Sequence, residues 1–100
     1  MLEKELEAKL VKSVKALGGY CLKWVSPGNR GVPDRIVLLP GGRVVFVEMK
    51  RPAAGSKPSP LQDWWKDRLE DLGFECWTVY NEDDLSRLMR YLKYLKGVIE

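Results

Sequence analysis

The sequence predicts a single α/β domain in which helices flank a mixed sheet, in the order αβββαβα. Three observations carry that expectation. Apolar residues recur at helical spacing near both ends of the chain, β-rich runs fall between them, and Gly/Pro clusters punctuate the joins. The chain has 100 residues, of which 45% are hydrophobic and 31% charged, with net charge +3. That composition is globular rather than disordered or fibrous. The mild positive charge permits a polyanionic partner without requiring one. No apolar run reaches the roughly 20 residues of a membrane span. The charged start MLEKELEAKL is unlike a signal peptide, so a cytoplasmic location is expected. Histidine is absent, and Cys21 and Cys76 stand alone within apolar stretches, which excludes a zinc-finger site and any histidine base and predicts two buried thiols.

Residues 2–17 predict the first helix, with Leu2, Leu6, Leu10, Val14 and Leu17 on one face and Gly18 as its stop. Tyr20–Val25 predicts a strand, followed by the loop SPGNRGVP. Asp34–Leu39 and Arg43–Lys50 predict a hairpin about Pro40-Gly41-Gly42. After the loop RPAAGSKPS, Ser59 as N-cap, Pro60 at the first position and Gln62 at the third predict a capped helix. Its stripe is Leu61, Trp65, Leu69 and Leu72, and Gly73 ends it. Phe74–Tyr80 predicts the fourth strand. Asp83 or Asp84 caps a last helix striped by Leu85, Leu88, Leu92 and Leu95.

Chemistry is expected at one end of the hairpin. If the turn centres on Gly41, residues equidistant from it face each other, and Asp34 lies opposite Glu48 with Cβ atoms roughly 4.5–5.5 Å apart. Folding gains nothing from opposed carboxylates, whereas a divalent cation between them removes the repulsion. Alternation puts Lys50 on the Glu48 face, beside an apolar surface of Val44, Phe46, Ile36 and Leu38. On the first helix Glu3 and Glu7 fall within the leucine arc. Glu3, near the end, is accounted for by the helix dipole; Glu7, a turn deeper, needs an ion-pair partner or a metal. Oxygen donors alone point to Mg²⁺ or Mn²⁺, with Lys50 orienting a nucleophile or stabilising a transition state on phosphorus. Gln62 fits an active-site role and a purely structural capping role alike. Ser26, Asn29, Arg30, Arg35, Arg51 and Lys57 are the expected nucleic-acid contacts, although the SPGNRG loop is also sufficient as a simple turn. At least three of Trp24, Trp64, Trp65 and Trp77 are expected in the core or an interface rather than stacked on bases.

The series Gly31-Val-Pro-Asp34, Glu48-Met-Lys50 and Gln62, with the first-helix acid and the SPG…GVPDR run, resembles the PD-(D/E)xK nuclease superfamily and, more narrowly, stand-alone bacteriophage VRR-NUC domains. The resemblance spans nearly the whole chain. It implies a restriction-endonuclease-like core and a magnesium-dependent DNA endonuclease, with Asp34 and Glu48 as metal ligands and Lys50 catalytic. Glu7 and Gln62 would support them, Glu7 as a further ligand. It also implies a homodimer acting on branched or duplex DNA, in the manner of Holliday-junction resolvases. The alternative is a nucleic-acid-binding or assembly module that keeps the fold without cutting, which would have no reason to retain opposed carboxylates.

Overall fold

The computed structural model describes residues 2–50 and 59–99. Its elements are α1 (Glu3–Ala16), β1 (Tyr20–Lys23), β2 (Arg35–Leu39), β3 (Arg43–Met49), α2 (Pro60–Asp71), β4 (Glu75–Val79) and α3 (Glu82–Ile99). The order is the expected αβββαβα. The strands form one mixed sheet, β1-β2-β3-β4, antiparallel between the first three and parallel between β3 and β4. A parallel pair needs a crossover, and α2 lies within it.

The two sheet faces differ because strand side chains alternate. Val37, Leu39, Val45, Val47, Met49 and Val79 point to one face and are buried under α1 and α3. Leu6, Leu10 and Val14 of α1 and Leu85, Leu88, Leu92 and Leu95 of α3 complete that core. The other face is only partly covered, by α2. There an aromatic cluster forms, with Trp24 against Phe46 at 5.2 Å between ring centroids, Trp65 edge-on to Trp24 at 6.5 Å, and Phe74 edge-on to Phe46 at 5.4 Å. Offset and edge-on contacts of this kind add to the stabilisation from buried area.

Element ends depart from the sequence expectation in two informative places. β1 stops at Lys23 rather than Val25, because Trp24 makes the last ladder bond, N–H to the Asp34 carbonyl at 2.9 Å, before Ser26-Pro27 turns the chain. The cap of α3 is Asn81, neither Asp83 nor Asp84. The Asn81 side chain accepts from the Asp84 N–H at 2.9 Å, while the Asp84 carboxylate accepts from the Tyr80 N–H at 2.9 Å. Cys21 is buried and Cys76 half-buried, and burial pushes each thiol up to about 11, far from its reactive range. No helix among the described residues is long and apolar enough to cross a membrane.

Candidate active site

Asp34 stands one residue before β2, where three strands converge. The β2–β3 register pairs Arg35 with Val47. Continued by one residue it sets Asp34 opposite Glu48, as the hairpin arithmetic expects. Asp34 is fixed at both ends: its carbonyl takes the Trp24 N–H, and its Oδ2 accepts from the Met49 N–H at 2.8 Å. Lys50, one residue past β3, is anchored by its own N–H to the Val79 carbonyl at 2.9 Å, which extends the parallel ladder. Backbone bonds to three neighbouring strands therefore place the acid pair and the lysine, and regular sheet is the most rigid support available for a site.

The Asp34 and Glu48 carboxyls lie within hydrogen-bonding reach of each other. Burial and then the Asp34 carboxyl push Glu48 up to about 8; Lys50 pulls it down, and Glu3 on the first turn of α1 adds to the upward push. The pair thus sets two hard oxygen donors side by side, and their repulsion is relieved by positive charge between them. That is the position a cation would take, and the donor set fits Mg²⁺ or Mn²⁺. Among the described residues no group of three or more acidic, histidine or cysteine side chains is close enough to hold a metal, so the pair alone forms the candidate ligand set.

Gln62 caps α2 and also reaches Lys50. The capping box is formed: Ser59 Oγ accepts from the Gln62 N–H at 3.2 Å, and Gln62 Oε1 accepts from the Ser59 N–H at 2.9 Å. The same Oε1 also accepts from Lys50 Nζ at 2.5 Å. The cap immobilises the amide, and the amide aims the ammonium.

Glu7 is placed otherwise. It pairs with Arg35 at 2.6 Å, and Arg35 also reaches the Cys21 carbonyl at 3.4 Å. Arg35 shares the strand face of Val37 and Leu39, so it meets α1, and its side chain is 12% exposed. The acid in the leucine arc thus has a basic partner, and Arg35 is removed from any open nucleic-acid surface. Ser26 and Asn29 face one another across a turn, Asn29 N–H to the Ser26 carbonyl at 3.0 Å and Nδ2 to Oγ at 3.1 Å. Arg30 is exposed beside them. Arg51 and Lys57 lie outside the described residues.

The acid pair separates two cavities of about 280 Å³ each. Asp34, Glu3 and Glu7 line one. Glu48, Lys50, Gln62, Lys66, Thr78 and Tyr80 line the other. Lys66, Thr78 and Tyr80 were not singled out from the sequence. Thr78 stands opposite Glu48 because β4 pairs with β3 in parallel, and no turn residue announces that register. Lys66 does leave a signal, since it lies four residues after Gln62 and shares its helix face.

The mixed sheet thus carries an acid pair and a lysine at adjoining strand ends. No protein-family model matches the sequence. "Putative nuclease p44" of Acyrthosiphon pisum secondary endosymbiont phage 1 is 46% identical over 87 residues, covering 87% of this chain and 90% of that protein. A solved structure described as a VRR_NUC domain superposes with a TM-score of 0.78 at 28% identity, covering 88% of this chain and 94% of its own. The chain belongs to the VRR-NUC nuclease family.

Proposed function

We propose that the protein is a divalent-metal-dependent DNA endonuclease, hydrolysing phosphodiester bonds at the Asp34–Glu48–Lys50 site. The observation that carries this reading is the Asp34–Glu48 pair, opposed by the hairpin register with Asp34 pinned by the Met49 N–H, for which folding alone offers no reason. Nuclease-family membership supports it. Asp34 and Glu48 would hold Mg²⁺ or Mn²⁺, which supplies positive charge against the scissile phosphate and activates water. In the step itself, the water oxygen bonds to phosphorus, the P–O ester bond breaks, and a proton from the water ends on the departing sugar oxygen as its hydroxyl. Lys50, steadied by Gln62 Oε1, presents its ammonium to the charge that develops on the phosphoryl oxygens. Lys66, exposed along the same cavity, adds positive charge for the strand. Glu7 reaches a metal only if Arg35 releases it; otherwise it acts from behind, holding Arg35 under the end of β2.

A symmetric dimer acting on branched or duplex DNA, as a junction resolvase does, completes the proposal. Exposed Tyr20, Leu22, Leu38 and Tyr94 supply apolar surface that a second copy could cover. The test is a panel of labelled junction, flap, nicked and plain duplex DNA incubated with the protein and Mg²⁺. Cleavage is expected on at least one member and is lost in Asp34→Asn, Glu48→Gln and Lys50→Ala, each still folded. Light scattering under reducing conditions returns twice the chain mass. Full cleavage by Asp34→Asn would overturn the site assignment.

A further inference from the structure

Trp64 is set apart from the other tryptophans. Trp24 and Trp65 belong to the aromatic cluster on the α2 face of the sheet, and Trp77 stacks on Tyr91 at 5.3 Å. Trp64 lies beyond them and is 48% exposed, yet it is not loose. Trp65 meets it edge-on at 5.1 Å and 88°, and the Arg68 guanidinium sits 5.3 Å from its ring centroid. A single exposed aromatic requires no explanation. This one, however, lines an open groove of about 890 Å³ together with Leu61, Trp65, Gly28, Asn29 and Arg30.

That groove is tied rigidly to the acid pair. Its two walls, the 28–31 loop and the first turn of α2, are in direct contact at Gly31. With φ +87°, Gly31 occupies backbone space that side chains avoid, and a Cβ there would come within 2.7 Å of the Leu61 backbone carbon. From Arg30 the chain runs only to Asp34, at most about 14 Å when fully extended. From Leu61 it runs directly to Gln62, which holds Lys50. A strand laid through the groove is therefore within a few nucleotides of the carboxylates. The described wall residues include a cation, Arg30, and no carboxylate. A flat indole beside an arginine is the pairing that recognises a base and its phosphate.

We propose that this groove stacks one unpaired nucleobase of the strand that enters the acid site, with Trp64 as the platform and Arg30 on the adjoining phosphate. The inference rests on the nuclease reading and narrows its substrate to nucleic acid with an unpaired base within a few nucleotides of the cut, such as a junction, flap or single-stranded end. The surface is committed to nucleic acid rather than to a second copy of the chain, because its cation and half-exposed indole match a polyanion that carries planar bases.

The experiment measures fluorescence anisotropy of a labelled single-stranded thymidine oligonucleotide, and of a fully paired duplex of equal length, on full-length protein in EDTA. Trp64→Ala should weaken single-strand binding about tenfold or more, the effect of losing one base–aromatic stack, and leave duplex binding unchanged. Trp64→Phe should retain most of the affinity. Arg30→Ala, on an exposed loop, should weaken binding and lower the salt slope by about one. Three results would each overturn the proposal: unchanged single-strand affinity in folded Trp64→Ala, equal loss on duplex, or a change in the light-scattering mass of Trp64→Ala, which would make the groove a contact between copies. Because binding is read without metal, the two readings fail separately. Trp64-dependent binding without any cleavage would sink only the nuclease reading; normal cleavage with Trp64-independent binding would sink only the stacking site.

Discussion

At Glu48 the side chain resolves a conflict that the hairpin creates. Its proton affinity is raised, to about 8, so the folded chain binds this proton more tightly than the unfolded chain does. Stability from that proton is fully present below the ordinary carboxyl range and is lost as pH rises through about 8. Metal-free protein should therefore melt at progressively lower temperature across that interval, and Glu48→Gln should flatten the trend; thermal melts in EDTA at a series of pH values measure both. Asp34, Lys50 and Glu3 surround the group and act together on its titration. Glu7 makes a different prediction. Glu7→Gln leaves Arg35, 12% exposed, without its carboxylate. Stability should fall by about 1.5–3 kcal/mol in denaturant unfolding, the range for hydrogen bonds to charged groups, with strong coupling to Arg35→Gln in a double-mutant cycle. Unchanged stability with lost cleavage would show instead that Glu7 serves the metal. The acid pair was legible because hairpin register follows from the turn by counting. The Glu7–Arg35 pair was not, because it depends on how a helix settles across a sheet, which neither segment encodes alone.

Among the elements, α2 bears most directly on function. Ser59, Pro60 and Gln62 spell its start in the sequence, and the capping box forms as spelled. What the motif did not disclose is that the capping amide also holds Lys50 from another element. The stripe Leu61, Trp65, Leu69 and Leu72 is buried only at its centre; Leu61 is 49% and Leu72 74% exposed, since α2 crosses a sheet face that a single helix cannot cover. Asn81 and the aspartates that follow it are all residue types that cap well, so residue type alone does not choose among them. Gly31 provides the test at this scale. Gly31→Ala combines an unfavourable positive φ with a clash against Leu61, at a cost of about 1–3 kcal/mol from the backbone strain alone. It should part the loop from α2, lowering the melting temperature and cleavage together. A variant with wild-type stability and activity would show that loop and helix are not coupled.

For the molecule as a whole, the sequence disclosed the element order and the core stripes, because helical and strand periodicities report burial directly. It disclosed less about surfaces. Tyr91 stacks on Trp77 and donates its hydroxyl to Glu75, contacts that no spacing in the sequence announces. Tyr94 remains 63% exposed. The exposed groove at Trp64 could not be separated in sequence from the core tryptophans, since Trp64 and Trp65 are adjacent and only helix phase distinguishes them. The molecule's parts converge on the acid pair, with three strands supplying backbone anchors, α1 an acid at its edge and α2 the amide that steers the lysine. Catalysis at this site depends on whether that pair holds a metal. Isothermal titration of Mn²⁺ into wild type, Asp34→Asn and Glu48→Gln at neutral pH is the most direct measurement. Wild type should bind the ion and release a proton, seen as a heat that varies with buffer ionisation enthalpy, and both variants should bind at least tenfold more weakly. Wild-type affinity in either variant, or binding without proton release, would contradict the account.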